Sequence, residues 1–496
     1  AAEKQYRTIE NANRAWRTAF SSFSALEPPV VGKPASLVFR RDWLLFRRSA
    51  IHDFIAECVR SIREADPHRI IMIYGDGLIL NRLPELTRYH LISANGGCAV
   101  PSRGYAMTIW ADVKIPQRAE EITCSFWEGR EFPTRLDVSL FNMMAGGGAN
   151  SHCKMFIGQG ARFEEIRKPP QGLERFERFL PIWRELRGAV SACREVAGYA
   201  DFEGSLTRGQ TVNCGGMQFG EWYTLFLMQS QVPFFSNVTE EWKQAKLTVA
   251  SPSMKLLAEK DCRALLEYAR NGGTLFMTAD TGRHVIEKEG EDWVLLRMAG
   301  FPVPRGELPR SWYASMDAEP GSRWGKSVGK MKTRVRTPFL APDDCGEVLM
   351  RMTDLRKTPA LSVKSFGKGK IYVLWLGEYI PLGFQHPESE SFLRKIALEA
   401  GAGLPLEADN RRVLTHFLRK GEVWYLLAMN DGKKENLRSR IRLSSLPEGR
   451  YRIRELIGGK KEDARFTAAS LRKEGLVFLL NPRQVVVYRI EKIKEN

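Results

Sequence analysis

The sequence predicts an α/β chain of three successive units: a parallel-stranded unit, a second α/β unit and a small antiparallel β-sandwich. Three observations predict it. Helical periods alternate with short apolar strands over residues 1–195, and strand–helix alternation calls for parallel strands joined by crossover helices. A second such alternation occupies 196–405. From about residue 408 only short strands of period two remain, as in an antiparallel sandwich.

In chain order, YRTIENANRAW has a helical period, and Asp42 is placed to cap a long helix running through WLLFRRSAIHDFIAECVRSIREA, closed by Pro67 shortly after Ala65. Four strands are expected at RIIMIY (69–74), YHLIS (89–93), ITCSFW (122–127) and HCKMFI (152–157), with a helix over 136–145. The amphipathic run GLERFERFLPIWRELRGAVSAC follows, with Pro181 expected to kink it. Four strands are half of a (β/α)8 TIM barrel. Half a barrel has two open edges and should not stand alone. The chain opens AAEKQYRT, without Met, so the first unit is expected to begin mid-domain with any targeting signal upstream.

In the second unit KLTVAS (246–251) and GTLFMTAD (273–280) are strands around the helix AEKDCRALLEYARN, which ends on Asn271, Gly272 and Gly273 as C-cap residues. TPALSVKSFGKGKIYVLWLG (358–377) is a hairpin with a Gly-Lys turn. LPLEADNRR (404–412) is taken as a linker, and RVLTHFLR, EVWYLLAMND, RSRIRLS, GRYRIREL, LVFLL and VVVYRIE are the strands of the third unit, 406–496.

Composition narrows the function classes. No apolar run reaches the length of about 18 residues that a membrane span needs. The net charge is +17, from 75 Lys and Arg against 58 Asp and Glu. The basic residues are mostly interspersed with acids, and no zinc-knuckle, RNP-like or basic-zipper pattern accompanies them, so neither nucleic acid nor membrane is an expected partner. A negatively charged saccharide suits the charge better. The eight cysteines are scattered without a C-x-x-C pair; Cys58, Cys124, Cys153 and Cys262 sit in apolar patterns as small buried hydrophobes, which leans toward a reducing, cytoplasmic setting. The seven histidines form no ligand-spaced pair, and no cofactor or metal is expected.

Local motifs carry little. VNCGGMQFG around Cys214 lacks the strand–turn–base context of a reactive thiol. GKGK (367–370) lacks the loop length and hydroxyl of a P-loop and is read as a turn. Gly146–Gly148 suit tight packing of a helix end better than phosphate binding. Trp110, Trp127 and Phe156 could stack on sugar rings or equally fill a core. Polar and Gly residues gather where the expected strands finish, at Asp76, Asn95, Glu128 and Gln159, and in a (β/α) barrel those ends build the active site. Glu128 follows the apolar run ITCSFW directly. Such a carboxylate either reaches water in a turn at the strand end or is chemically employed, because burial without a partner is costly.

The order of these parts resembles the family 42 glycoside hydrolases, chiefly beta-galactosidases. QYRTIENANRAWRTAFSSFSALEPP resembles the family's stretch after its acid/base strand, with the Asn-x-x-Trp-x-Thr run at Asn13, Trp16 and Thr18. DWLLFRRSAIHDFIAECVRSIREADP resembles the next helix, ASPSMKLLAEKDCRALLEYARNGGTLFMT the trimerisation domain, and TPALSVKSFGKGKIYVLWLG that domain's last hairpin. The resemblance implies the C-terminal half of a TIM barrel, a flavodoxin- or amidotransferase-like trimerisation domain and a β-sandwich. It also implies a homotrimer acting on an oligosaccharide or glycoside. In the family the seventh barrel strand ends in the nucleophilic Glu, which falls on Glu128; around it Trp127, Asp76, Asn95, Phe156 and Glu164 are the residues expected to bind substrate. The acid/base residue, in an Asn-Glu pair on the fourth strand, would lie upstream of residue 1.

The match departs from the family in two places. The aromatic residue nearest after the nucleophile is Phe132, where the family has Trp, and Glu164 with Arg167 stands where it has Glu-x-x-His. Arg130, Arg135 and Arg167 would suit an acidic sugar. An alternative is a non-catalytic saccharide-binding or assembly subunit that keeps the fold without the chemistry.

Overall fold

The computed structural model describes residues 2–29, 35–66, 72–75, 91–95, 122–126, 149–150, 181–182, 184–186, 189–200, 234–236, 240–250, 254–306, 314–325, 331–353, 357–381, 388–410, 413–430, 434–458, 464–482 and 484–494. Three helices come first: α1 (Ala2–Tyr6), α2 (Ile9–Trp16) and α3 (Leu37–Ala65). Thr8 caps α2, its side chain accepting from Asn11 N, and Arg17 in the left-handed region ends it. Asn13 then fixes the chain reversal. Its amide donates to the Phe20 carbonyl (2.8 Å) and accepts from Phe20 N (2.9 Å) and the Thr18 hydroxyl (2.9 Å). Trp16 is buried between Tyr6 and Phe39, each with its ring centroid 5.1 Å away.

Two expectations are corrected here. Asp42 does not cap α3: the helix begins at Leu37, and Ser36 accepts from Phe39 N at 3.1 Å. Asp42 lies in the second turn instead, accepting from the Tyr6 hydroxyl and from Trp16 Nε1 at 2.9 Å. Cys58 is exposed, because Phe54, Cys58 and Ile62, one stripe at i, i+4 and i+8, face outward. Cys262 is buried as expected.

β1 (Met72–Gly75), β2 (Leu91–Asn95), β3 (Ile122–Phe126) and β4 (Ala149–Asn150) form one sheet in sequential order. All three pairings are parallel. β1 and β2 overlap the expected segments 69–74 and 89–93, whose first residues lie outside the described residues. The fourth falls at 149–150, just ahead of the expected HCKMFI segment, which lies outside the described residues.

After β5 (Val190–Ser191) the chain enters a ten-stranded sheet. Its parallel part consists of β6 (Val196–Ala200), β7 (Phe234–Ser236), β8 (Leu247–Ala250), β10 (Thr274–Thr278) and β16 (Gly369–Leu374), in the order β7-β6-β8-β10-β16. It continues antiparallel through β15 (Pro359–Phe366), β14 (Glu347–Met352), β12 (Ala314–Ala318), β13 (Met331–Pro338) and β17 (Leu376–Pro381). The short pair β9 (Leu256–Leu257) and β11 (His284–Val285) lies apart, and α4 (Glu259–Arg270), α5 (Val294–Met298) and α6 (Glu388–Glu399) complete the unit.

The expected strand–helix–strand run 246–280 and the hairpin are present. Tyr199, Trp242 and Tyr268 pack in the core with tilted rings, centroids 4.8 and 5.5 Å apart, and the Tyr268 hydroxyl donates to the Ala245 carbonyl at 2.9 Å. GKGK is a turn: Gly367 sits at φ +60°, and a Cβ on Gly369 would lie 2.1 Å from the Gly273 carbonyl oxygen, so the end of α4 packs directly on the hairpin.

The last unit has two antiparallel sheets. One contains β18 (Leu406–Ala408), β21 (Leu437–Leu443) and β24 (Leu476–Leu480) in the order β18-β21-β24. The other runs β23-β22-β25-β20-β19-β5, from β23 (Ala464–Thr467), β22 (Arg450–Glu455), β25 (Val485–Lys492), β20 (Val423–Asn430) and β19 (Val413–Lys420). A short helix α7 (Ala468–Lys473) carries a Thr467–Ser470 capping box. The expected linker 404–412 is not free chain: its centre is β18, with Leu406 and Ala408 buried.

β20 shows how the larger sheet is used. Trp424, Leu426 and Ala428 face the core between the two sheets, while Tyr425, Leu427 and Met429 join the core of the ten-stranded unit. A strand buried on both faces loses the polar alternation of a surface strand, and VWYLLAM shows that loss.

Candidate active site at the rim of the parallel sheet

Because β1–β4 run parallel in sequential order, their carboxyl ends share one edge. The register sets Gly75 beside Ala94, Asn95 beside Phe126, and Ser125 beside Asn150. Neighbouring strands lie about 4.8 Å apart, so the ends of β1 and β3 are about 10 Å apart with β2 between them. Asn95 is therefore the one sequence-predicted site residue whose backbone the structure describes, at the last position of β2. Asp76, Trp127, Glu128, Phe156 and Glu164 lie outside the described residues, as do Arg130, Arg135 and Arg167 and the segment around Cys214. In sequence Asp76 follows Gly75 directly, and Glu128 follows Phe126 by two residues.

Ahead of this sheet in sequence, the first three helices hold a polar cluster that the sequence pattern did not reveal. Asp42, its side chain only 8% exposed, gathers Tyr6, Trp16 and the Arg41 Nε (3.2 Å). Burial and the Asp42 carboxylate push the Tyr6 phenol up, so it remains a neutral donor. Arg41 also bonds Glu287, whose other oxygen accepts from Glu259 N at the start of α4 (2.8 Å). Leu37 and Val38 pack on Leu256, Ala258 and Ile286 alongside. The first helices are thus bound to the second unit by an ion pair and an apolar contact. The signal in sequence was a carboxylate inside a helical segment, set between a cation and an indole at Arg41-Asp42-Trp43.

Other chemistries find little footing among the described residues. Burial pushes the Cys193 thiol up to about 12 and raises Cys345, so neither is a thiolate nucleophile near neutral pH. No group of three or more His, Cys, Asp or Glu among the described residues is placed to hold a metal. No described helix is long and apolar enough to cross a membrane.

The fold is that of a mixed α/β chain with a parallel sheet. Within that class the chain resembles the family 42 beta-galactosidases over nearly its whole length. The beta-galactosidase of Bacillus circulans sp. alkalophilus superposes with a TM-score of 0.70 at 16% identity, covering 98% of this chain and 75% of that one. The cold-adapted beta-galactosidase of Rahnella sp. R3 gives 0.70 at 15%, covering 99% and 74%. An apo family 42 exo-carrageenase of Bacteroides ovatus gives 0.54 at 11%, covering 99% and 62%. At these identities the likeness is one of fold. No protein-family model and no curated protein sequence matches the chain.

Proposed function

We propose that the chain is the C-terminal portion of a retaining, beta-galactosidase-like glycoside hydrolase that removes terminal sugars, with Glu128 as its nucleophile. The observation that carries the reading is the parallel, sequential order of β1–β4, with Glu128 two residues beyond the end of β3, in a chain of family 42 fold. Residues 1–195 are read as half of a barrel, 196–405 as a trimerisation domain and 406–496 as a β-sandwich domain. A homotrimer is the proposed assembly; a stable monomer in light scattering at micromolar concentration would argue against it.

In the proposed reaction a Glu128 oxygen attacks the anomeric carbon as the bond to the leaving oxygen breaks. A carboxylic acid about 5–5.5 Å away protonates that oxygen. The same group, now a carboxylate, takes a proton from water, whose oxygen attacks the anomeric carbon and releases Glu128. That acid is proposed on a strand upstream of residue 1. Asp76, which follows the last residue of β1 in sequence, is the in-chain alternative for that acid. Trp127 and Phe156 would supply apolar faces for the sugar, and Asn95, Asp76 and Glu164 polar contacts to its hydroxyls. Arg130, Arg135 and Arg167 favour an acidic sugar, a reading supported by the exo-carrageenase among the fold relatives.

The test is hydrolysis of aryl glycosides by the full-length gene product and its Glu128→Gln variant, together with mass-spectrometric trapping of a glycosyl-enzyme. Unchanged turnover in the variant would remove the nucleophile. A folded protein that binds glycan but turns over none would favour the saccharide-binding subunit.

A further inference from the structure

The outer face of the three-stranded sheet carries charge in a pattern unrelated to the rim of β1–β4. Along β21, Leu437, Ser439, Ile441 and Leu443 are buried, whereas Arg438 and Arg440 are exposed and Arg442 partly so. Alternate residues of an antiparallel strand are about 6.8 Å apart on one face, so the three arginines form a row. On one side β24 sets Leu479 opposite Arg438 and Val477 opposite Arg440, with 66% and 52% of these apolar residues exposed.

On the other side acids are few and otherwise engaged. Glu407 stands opposite Arg442, 3.8 Å from its guanidinium. Asp409 turns its carboxylate to the Ser439 hydroxyl (3.2 Å) and to Arg440 N (2.7 Å). Arg442 Nε donates to the Lys473 carbonyl at 3.2 Å, which brings the basic end of α7 to the same corner. The guanidinium groups of Arg438 and Arg440 have no hydrogen-bond or ion-pair partner among the described residues.

β22 carries a second exposed arginine row, Arg450, Arg452 and Arg454, with Glu491 of β25 opposite Arg452 on one side and Arg465 of β23 on the other. Its cross-strand neighbours are polar or charged, whereas Val477 and Leu479 give the β21 row an apolar flank. The whole segment 406–496 holds 21 Lys and Arg against 12 Asp and Glu, a surplus of +9 of the chain's +17 in less than a fifth of its length.

We propose that the Arg438–Arg440 face is a second binding surface, for an anionic polysaccharide. Planar guanidinium groups pair bidentately with sulfate or carboxylate oxygens, and Val477 and Leu479 offer a flat apolar strip beside them for the carbon faces of the sugar rings. The described face carries no aromatic residue on which nucleobases would stack. Its apolar side chains lie flush on a sheet, with no amphipathic helix or projecting wedge to enter a bilayer. The preference for a polysaccharide over other polyanions rests on the glycosidase reading, whereas the charge row does not.

The experiment is binding of fluorescein-labelled carrageenan to the full chain, titrated with salt, beside neutral galactan, duplex DNA and phosphatidylserine vesicles. The Arg438→Ser/Arg440→Ser variant is expected to bind carrageenan at least about tenfold more weakly and with a shallower salt dependence. The Arg450→Ser/Arg454→Ser variant, which removes the same charge, should lose less than about threefold. Equal losses in the two variants would reduce the effect to net charge and overturn the site. Unchanged binding in the first variant, or tighter binding of DNA or vesicles than of carrageenan, would overturn it as well. Turnover of a small aryl glycoside is read separately, so a failure at Glu128 is distinguishable from a failure here.

Discussion

At the scale of single residues, Asp42 and Glu128 are two carboxylates that each adjoin a Trp in sequence. Asp42 has its oxygens taken by Tyr6, Trp16 and Arg41. Asp42→Ala leaves a buried indole N–H and a phenol without an acceptor, and is expected to cost about 2–3 kcal/mol of stability. Asp42→Asn, which keeps one acceptor oxygen, should cost less; calorimetry of the two variants checks the order. For Glu128 the proposed employment is chemical. Glu128→Gln is expected to lower turnover at least about a thousandfold, about 4 kcal/mol of transition-state stabilisation, since the amide neither attacks nor balances developing positive charge. An unchanged circular-dichroism spectrum should accompany the loss. A variant that loses its fold together with its turnover would make Glu128 structural.

At the scale of elements, α6 ends on an acid, Glu399, where the helix dipole disfavours negative charge. Burial also works against its ionisation, yet Arg323 (2.8 Å), the Tyr372 hydroxyl and Trp324 Nε1 outweigh both and hold its carboxyl below the usual range. A carboxyl depressed on folding contributes stability above its unfolded value, about 4.3, and loses it as pH falls through the folded value. Glu399→Gln should therefore be less stable than the parent at pH 7, and lose less further stability between pH 5 and 3. Parallel pH profiles of the two proteins would refute this.

Which elements were legible follows the same physics. KLTVAS, the helix after it and the 359–374 hairpin carry strong local signals: apolar runs, C-cap glycines and a Gly-Lys turn. β5 and β18, of two and three residues, carry none, because their pairing is decided by distant partners, β19 and β21. The α3 cap was misplaced because Ser36 and Asp42 are both competent caps, and only the tertiary partners of Asp42 separate them. The order of the strands at the rim was legible from the alternation, whereas the cluster around Asp42 in the first helices arises from contacts 26 and 36 residues apart in sequence.

At the scale of the whole molecule, the second and third units share a core. Leu418, Tyr425, Leu427, Met429, Val485 and Val487 of the larger sheet are buried with the ten-stranded unit, each side chain worth about 1.5–3 kcal/mol as an upper bound. Arg489 adds an ion pair to Glu185 at 2.9 Å. Residues 406–496 cut free would expose that face and lose β5, so the isolated segment is expected to bind a hydrophobic dye and aggregate, while residues 181–496 remain soluble. A soluble, dye-silent 406–496 would show that the sandwich is self-sufficient.

The place of β5 also has a consequence in time. Ser191 pairs with Leu418 and Val190 with Arg419, partners that a ribosome adds more than 220 residues later. At about 5–20 residues per second, the strand emerges some 10–45 s before the edge it is to join exists. The intervening unit is made entirely within that interval, so the closing of this sheet on β5 waits until β19 has been made.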